Sequence, residues 1–583
     1  MKYYSLILTN KFNKVNKDEN LLSTKICKDF LNVNDLSKDY KFNNISRKEI
    51  LKRYGFCEKI YKKLIIDLKK ELNRVHNLNY SVRSWDIIIG RWLRDFIQIS
   101  YKSYLELTYV LKNYKVNKFY IFDKKKFSLN VNDTISQEIA SADQQWAYCL
   151  SSLLIESIKP NGKFITISPK NYSFELKKNY KISFASIFNS KLIFKIINFS
   201  KLLINYNNYA LITKTYLPFK SEKLLEIKFR QIPLMWPEIS IKYNKKNELL
   251  RNSLKLKKRT KNPFEKFLRF NIHNFLPKFI LENFKEIKKI SESNIYPRNP
   301  KFIFTSISYA YDEVFKFYVA NKIKKKIPYY VGQHGGNYFN KIHNNYLSEL
   351  YNSDNFISWG AKNKPFIKKG FNFLTLNKKI THKKKGKLLI IFDYISQMTF
   401  DLHNTNQAML NHIKNMRDVI LELNPEVRKN VILRLNRSFY ENFYGIKYYN
   451  FFKDLNVQID NGEKKISNLI KEARLTLFNY DSTGILENFI HNVPTVFFCE
   501  KNFFNTLNRN YVIKYKYLFK NNVIFLDKTK IKNHLNNNWD NISDLWFSSK
   551  NQKMLKTFNK NYNVKPNLGD INKIKKILLS KTQ

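Results

Sequence analysis

Apolar and polar positions alternate most regularly in the second half of the chain. KFIFTSI (301–307), IPYYVGQ (327–333) and NFISWG (355–360) read as strands, and a stretch with helical spacing (312–325) separates the first two. A basic connector, THKKKGK (381–387), precedes a new run, LLIIFDY (388–394). Met409, Ile413, Met416, Ile420 and Leu423 then recur at spacings of four and three, and Pro425 follows, which predicts a helix laid on a sheet. VILRL (431–435), NVQID (456–460), RLTLFN (474–479), PTVFF (494–498) and NVIFLD (522–527) are further strand candidates, with helical segments between most of them. Strands alternating with helices predict a parallel sheet covered on both faces, and such sheets bind ligands at the carboxyl ends of their strands.

The first half is less regular. In SVRSWDIIIGRWLRDFIQISYKSYLELTYVL, Trp85, Ile89, Trp92, Phe96 and Tyr101 follow one helical face, which predicts a buried packing helix. Residues 151–236 mix strand and helix signals without a firm topology. Residues 254–290 join a basic cluster to Phe and Leu at helical spacing, broken at Pro277. Because Glu265, Glu282 and Glu286 interrupt the basic face, we read a helix covering the core in preference to one docked on lipid.

Length and composition widen this picture to two large cores, since 583 residues that are 43% apolar exceed one ordinary domain. The formal charge of +57 would direct attention to nucleic acid or anionic lipid. Yet Lys, Asn, Ile, Phe and Tyr, whose codons are AT-rich, abound while Gly and Pro are scarce, and the lysines are spread from Lys2 to Lys581. The charge therefore reads as compositional drift over solvated faces, and no specific nucleic-acid partner is expected. Cys27, Cys57, Cys149 and Cys499 form no CxxC pair, so neither zinc nor a disulfide framework is indicated. The apolar stretch 187–204 carries Lys191, Lys195 and Lys201, and no signal peptide is evident. A cytoplasmic protein is expected, with at most peripheral contact at an anionic inner-membrane surface.

Two segments at predicted strand ends carry candidate chemistry. Gly332, Gln333, His334, Gly335 and Gly336 follow IPYYV; glycines permit close backbone approach, and a histidine suits proton transfer or donation to a phosphate. Asn479, Tyr480, Asp481, Ser482, Thr483 and Gly484 end RLTLFN and open a helix, whose free amides and positive dipole end suit a diphosphate. Glu487, about a turn on, could accept from ribose hydroxyls or simply offset the helix dipole. Arg434, with Arg437 three residues on, could fork a phosphate or be one arginine among many. A Walker loop, GxGxxG, HExxH, GxSxG and a DxD pair are all missing from the sequence, which disfavours the common hydrolases and leaves a reaction without metal or other cofactor as the expectation.

At these residues the chain resembles a family of transferases encoded in bacterial surface-polysaccharide clusters. The resemblance runs through SWDIIIGRWL, LPKFILENF, PKFIFTS, the run from Asp312 and Glu313 to Lys316, YYVGQHGGNY, residues 349–354 into FISWG, and YDSTGILENFIHNVPTVFF. Asn337 to Phe339 stand where that family has a more glycine-containing turn, and Ala361 follows SWG where an aromatic is usual. More distantly, the histidine-glycine turn and the Ser-Thr cap are similar to those of capsule and teichoic-acid polymerases with two Rossmann domains, the GT-B architecture.

The resemblance implies an α/β fold of two Rossmann-like domains facing a cleft, with helical N-terminal additions. The acceptor side would lie in 1–380, the nucleotide-sugar side in 385–540, and a helical tail in 541–583. It implies transfer from a nucleotide-activated sugar to a carbohydrate or lipid-linked acceptor, with lipopolysaccharide or capsule as the product class. His334 would be base or phosphate-side donor, with Asp312 and Glu313 as the alternative catalytic groups. The rival readings are a polyol-phosphate transferase of the teichoic-acid type and a noncatalytic basic protein.

Overall fold

The computed structural model describes residues 3–7, 21–23, 45–167, 172–174, 209–231, 239–256, 260–293, 295–393, 401–404, 406–435, 449–567 and 569–580. Short strands β1 (Tyr4–Ile7) and β2 (Leu21–Ser23) precede two long helices, α1 (Arg47–His76) and α2 (Val82–Asn113). Each helix starts on a serine whose hydroxyl accepts a backbone amide of the first turn, Ser46 from Glu49 and Ser81 from Ser84. Trp85, Ile89, Trp92 and Phe96 of α2 are buried as the periodicity predicts, and Tyr101 packs on Phe56 and Phe264 with ring centroids 4.7 and 5.0 Å away.

Three larger sheets follow, all of their strand pairs parallel. The first runs β2-β1-β3-β4, with β3 (Val116–Phe122) and β4 (Lys163–Ile167). The second comprises β5 (Leu211–Thr213), β6 (Ile303–Thr305), β7 (Tyr329–Gly332), β8 (Asn355–Ser358) and β9 (Ile367–Lys369), in simple sequential order. The third contains β10 (Lys387–Ile391), β11 (Val431–Arg434), β12 (Gln458–Asp460), β13 (Ala473–Phe478), β14 (Thr495–Phe498) and β15 (Ile524–Phe525). Between β13 and β14 lies α3 (Thr483–His491).

The third sheet has the order β12-β11-β10-β13-β14-β15, which is the 3-2-1-4-5-6 order of the doubly wound fold. Alternate residues of β10 show both faces covered: Leu388 and Ile390 join the cluster containing Ile413, Met416, Ile420 and Leu423, while Leu389 and Ile391 join the larger core. Burial on both faces is why such strands read as unbroken apolar runs. Order reverses between β10 and β13, and there Asn479 ties the two strand ends together. Its amide donates to the Ile391 carbonyl at 3.1 Å, and its side-chain oxygen accepts from the Asp393 amide at 3.0 Å.

Residues 254–290 contain the helices Pro263–Phe275 and Phe284–Glu292. Phe264, Phe267, Leu268 and Ile272 are buried, and Glu282 is locked to Arg251 at 2.7 Å, which fits the packing reading; residues 257–259 of the basic cluster lie outside the described residues. Among the described residues no helix is long and apolar enough to cross a membrane.

The tail is helical, and it returns to the second sheet. The Val564 amide donates to the Trp359 carbonyl at 2.7 Å, and the Asn372 amide to the Val564 carbonyl at 2.9 Å. Asn563, fully buried, joins both sides: its side-chain oxygen accepts from Asn372 at 2.9 Å while its nitrogen donates to the Leu486 carbonyl in α3 at 2.7 Å. Asn563→Ala would strand both partners without water. We expect it to cost about 1–3 kcal/mol of stability, read by urea denaturation.

Candidate functional site

The histidine turn begins where β7 ends. A Cβ on Gly332 would lie 2.4 Å from Ser306 Oγ and 2.6 Å from a Phe373 ring carbon, so only glycine lets the strand end pack there. Gln333 is buried and braces the turn, its nitrogen donating to the Gly335 carbonyl at 2.7 Å and its oxygen accepting from the Trp359 amide at 2.8 Å. Asn337 takes the left-handed backbone (φ 68) at the place where the sequence departs from a glycine-containing turn. Asparagine tolerates that region better than most residues.

His334 sits in a small polar network. Its Nδ1 is 2.7 Å from the Tyr338 hydroxyl and 3.2 Å from that of Tyr309, and both tyrosines reach Glu349 Oε1, at 3.1 and 2.9 Å. Each hydroxyl has one proton, so along the shortest contacts Tyr338 donates to the imidazole and Tyr309 to the carboxylate. The proton of a neutral ring then resides on Nε2. Burial, with the nearby Arg91 charge, pushes the His334 pKa down to about 3, against a smaller upward pull from the Ser306 backbone.

The second turn follows β13. Ser482 caps α3, its hydroxyl accepting from the Gly484 amide at 3.2 Å. A Cβ on Gly484 would press on the Phe478 ring at 3.0 Å. The Asp481 carboxylate is enclosed: Asn340 donates to it at 3.2 Å, Tyr515 at 3.3 Å, and Lys341 Nζ lies 3.5 Å away.

The two turns meet, although 147 residues separate them in sequence. The Gly336 amide donates to Thr483 Oγ1 at 2.9 Å, and the Asn337 side chain donates to the Asp481 carbonyl at 3.1 Å. A Cβ on Gly335 would stand 3.2 Å from the same threonine oxygen. Gly332 to Gly336, His334, and Asp481 to Gly484 therefore form one locality at the carboxyl ends of β7 and β13.

Of the other candidates, Glu487 alone shares an element with this locality, about one turn along α3 from Thr483, and the rest fall elsewhere. Glu487 is half-buried on α3, its carboxyl raised by burial and opposed by Lys378. Arg434 ends β11 and is held by the Asp460 carboxylate, two strands from β13. Arg437 lies outside the described residues. Asp312 caps the helix Glu313–Lys324, accepting from the Phe315 amide at 2.9 Å. Glu313 is buried against Lys316 at 3.0 Å and accepts from the Thr134 amide at 3.0 Å. These contacts belong to the scaffold. Tyr309 and Lys341 were not singled out from sequence, and Tyr338 and Glu349 entered only inside the segments YYVGQHGGNY and 349–354 that carry the resemblance, without a role. At the far end of α3, Lys378, Lys379, His382, His491 and Lys565 line a separate open cavity of about 650 Å3.

The family model described as LIC12162 family transferase matches residues 4–577, and the chain belongs to that family. No curated protein matches it. Among solved structures, spinosyn rhamnosyltransferase SpnG complexed with spinosyn aglycone aligns over 51% of this chain and 77% of that chain at 10% identity. Its TM-score of 0.27 is too low to carry an argument.

The ionisation of His334 is directly testable. An unfolded ring takes up a proton near 6.5 and the folded one only near 3, so His334 supports the folded state above pH 6.5 and withdraws that support as pH falls. In NMR titrations of wild type and His334→Gln, the resonance lost in the variant should not shift between pH 5 and 8; a midpoint near 6.5 would contradict the burial account.

Proposed function

We propose that this LIC12162 family transferase moves a sugar from a nucleotide-activated donor to a carbohydrate or lipid-linked acceptor, in a GT-B-like cleft between an acceptor half (1–380) and a donor half (385–540). The observation that carries the reading is the meeting of the Gly335–Gly336 turn with Thr483 at the start of α3. A helix start beside a turn without side chains gives a diphosphate backbone donors and a favourable dipole end, with nothing bulky in the way. The place is also apt, because doubly wound sheets bind ligands at their strand carboxyl ends near the point where strand order reverses.

In this reading Ser482, Thr483 and Gly484 hold the phosphates, and the neutral His334 ring offers its Nε2–H as a hydrogen-bond donor to the departing diphosphate, keeping its proton. A ring so reluctant to accept a proton suits a donor better than a base. Glu487 takes the ribose hydroxyls. Asp481 and Gln333 fix the two turns, and Arg434, already paired, contributes its field at a distance. Preorganised donors around a leaving diphosphate supply several kcal/mol of barrier lowering without a resident metal. The chemistry would proceed in the cytoplasm, where nucleotide-activated donors are made, and build surface polysaccharide.

Calorimetric titration with UDP, GDP, CDP and CMP tests the reading. One nucleotide should bind selectively, and Glu487→Ala should weaken it by roughly 1–3 kcal/mol, about 5- to 150-fold, if a buried ribose hydrogen bond is lost. Release of a nucleoside diphosphate accompanies sugar transfer, whereas release of CMP would point to a polyol-phosphate transferase or a CMP-activated donor. Failure of every nucleotide to bind would remove the donor site.

A further inference from the structure

Among the described residues of the two turns, none is assigned above to receive the proton of the attacking hydroxyl. His334 is a poor acceptor, for the reasons given. The helix α2 supplies another. Its apolar residues point into the core, whereas Arg91, Asp95, Gln98 and Lys102, spaced by four, three and four, fall in one row along it.

That row spans the carboxyl ends of two sheets. At one end Arg91 Nη2 lies 3.4 Å from the Tyr311 hydroxyl and 3.5 Å from Glu138, and its charge acts on His334 beyond β7. At the other end Lys102 donates to the Asn404 carbonyl at 2.9 Å, on the loop that leaves β10 of the third sheet. From α1, Arg53 donates to the Leu402 carbonyl of that loop at 2.9 Å, and the Tyr54 hydroxyl accepts its amide at 3.1 Å. Asp95 stands between the two ends, 3.8 Å from Arg91 Nε.

Its surroundings are charged. The Asp95 side chain is 50% exposed, yet four charges from three elements act on it: Arg91 and Arg94 of its own helix, Glu138 of the helix Thr134–Ala142, and Glu349 of the helix Ser348–Asn352.

We propose that Asp95 is the catalytic base of the transfer, a reading that rests on the donor site proposed above. The acceptor hydroxyl oxygen forms a bond to the anomeric carbon as the bond from that carbon to the nucleotide phosphate breaks. The electron pair leaves with the nucleotide, and the hydroxyl proton passes to the Asp95 carboxylate. Asp95 would touch the reacting hydroxyl; Arg91, tied to Glu138 and Tyr311, would position it.

The chemistry agrees with the geometry. Burial raises the Asp95 pKa to about 6, with Glu138 and Glu349 adding to the rise and Arg91 and Arg94 opposing it. Such a carboxylate is ionised at neutral pH and yet basic enough to take a proton in a transition state.

The test compares wild type, Asp95→Asn and Asp95→Glu in two assays with UDP-, GDP- and CMP-activated sugars: calorimetric binding of the nucleotide, and nucleotide release. Melting profiles establish first that the variants are folded. Asp95→Asn should bind nucleotide as wild type does but release it about 100-fold more slowly or worse. The wild-type rate should fall on the acid side of about pH 6, that limb should vanish in Asp95→Asn, and Asp95→Glu should recover part of the rate. Nucleotide binding with an unchanged rate and pH profile in Asp95→Asn would overturn the proposal and leave the donor site standing. Absence of nucleotide binding in wild type would overturn the donor site, and Asp95 with it. If Asp95→Asn did not fold, a wild-type profile without a limb between pH 5 and 7 would be enough to overturn Asp95.

Discussion

A carboxylate shut away from water must be satisfied by donors the protein brings to it, and Asp481 imposes that requirement on both turns of the site. Burial pushes its carboxyl pKa up, and Lys341, Tyr515 and Asn340 pull it back. Lys341 and Asn340 come from the segment just after the histidine turn, and Tyr515 from the helix Arg509–Lys520. Lys341 is itself committed, lying 4.1 Å over the Phe503 ring and 3.4 Å from Thr506 Oγ1. Removing Lys341 or Asp481 would leave a buried charge uncompensated, so this pair helps hold the second and third sheets against each other, together with the contacts of Asn563. The contact of Gly336 with Thr483 lies between the same two sheets.

The same enclosure separates the ionisable groups by role. His334 is held neutral first by burial and then by the positive Arg91 guanidinium, with the Glu349 carboxylate reached only through tyrosines. Asp95 is raised first by desolvation and then by the carboxylates Glu138 and Glu349, against Arg91 and Arg94, which moves it the opposite way, towards protonation. A neutral ring that can only offer a hydrogen bond and a carboxylate that can take a proton can then fill different roles in one reaction. The chain's large positive charge plays no visible part in this; around Asp481, Glu313 and Glu282, cations are matched to carboxylates.

What the sequence revealed follows from how each part is buried. In the third sheet β10, β11, β13 and β14 are largely buried and read as apolar runs, so their positions were legible to within three residues. In the first sheet, β4 (KFITI) is largely exposed and polar in pattern, and nothing in it distinguishes a strand from a loop. The two turns were legible because glycine next to histidine, and Ser-Thr before a helix, are local signals. Side-chain partners were not local. Arg434 looked available until Asp460 was seen to hold it, and Glu313 looked reactive until Lys316 was found beside it. The helix α2 was read correctly as a packing helix on one face, and its tryptophans drew attention away from the polar row at Arg91 and Asp95.

The central claim is that the two turns form one phosphate site. A crystal structure of the protein soaked with the nucleoside diphosphate that binds most tightly tests it most directly. The account predicts phosphate density between Gly335, Gly336 and the first amides of α3, within hydrogen-bond distance of Thr483 or Gly484. Density in the basic cavity lined by Lys378, Lys379, His382 and Lys565 instead, with the two turns empty, would contradict it.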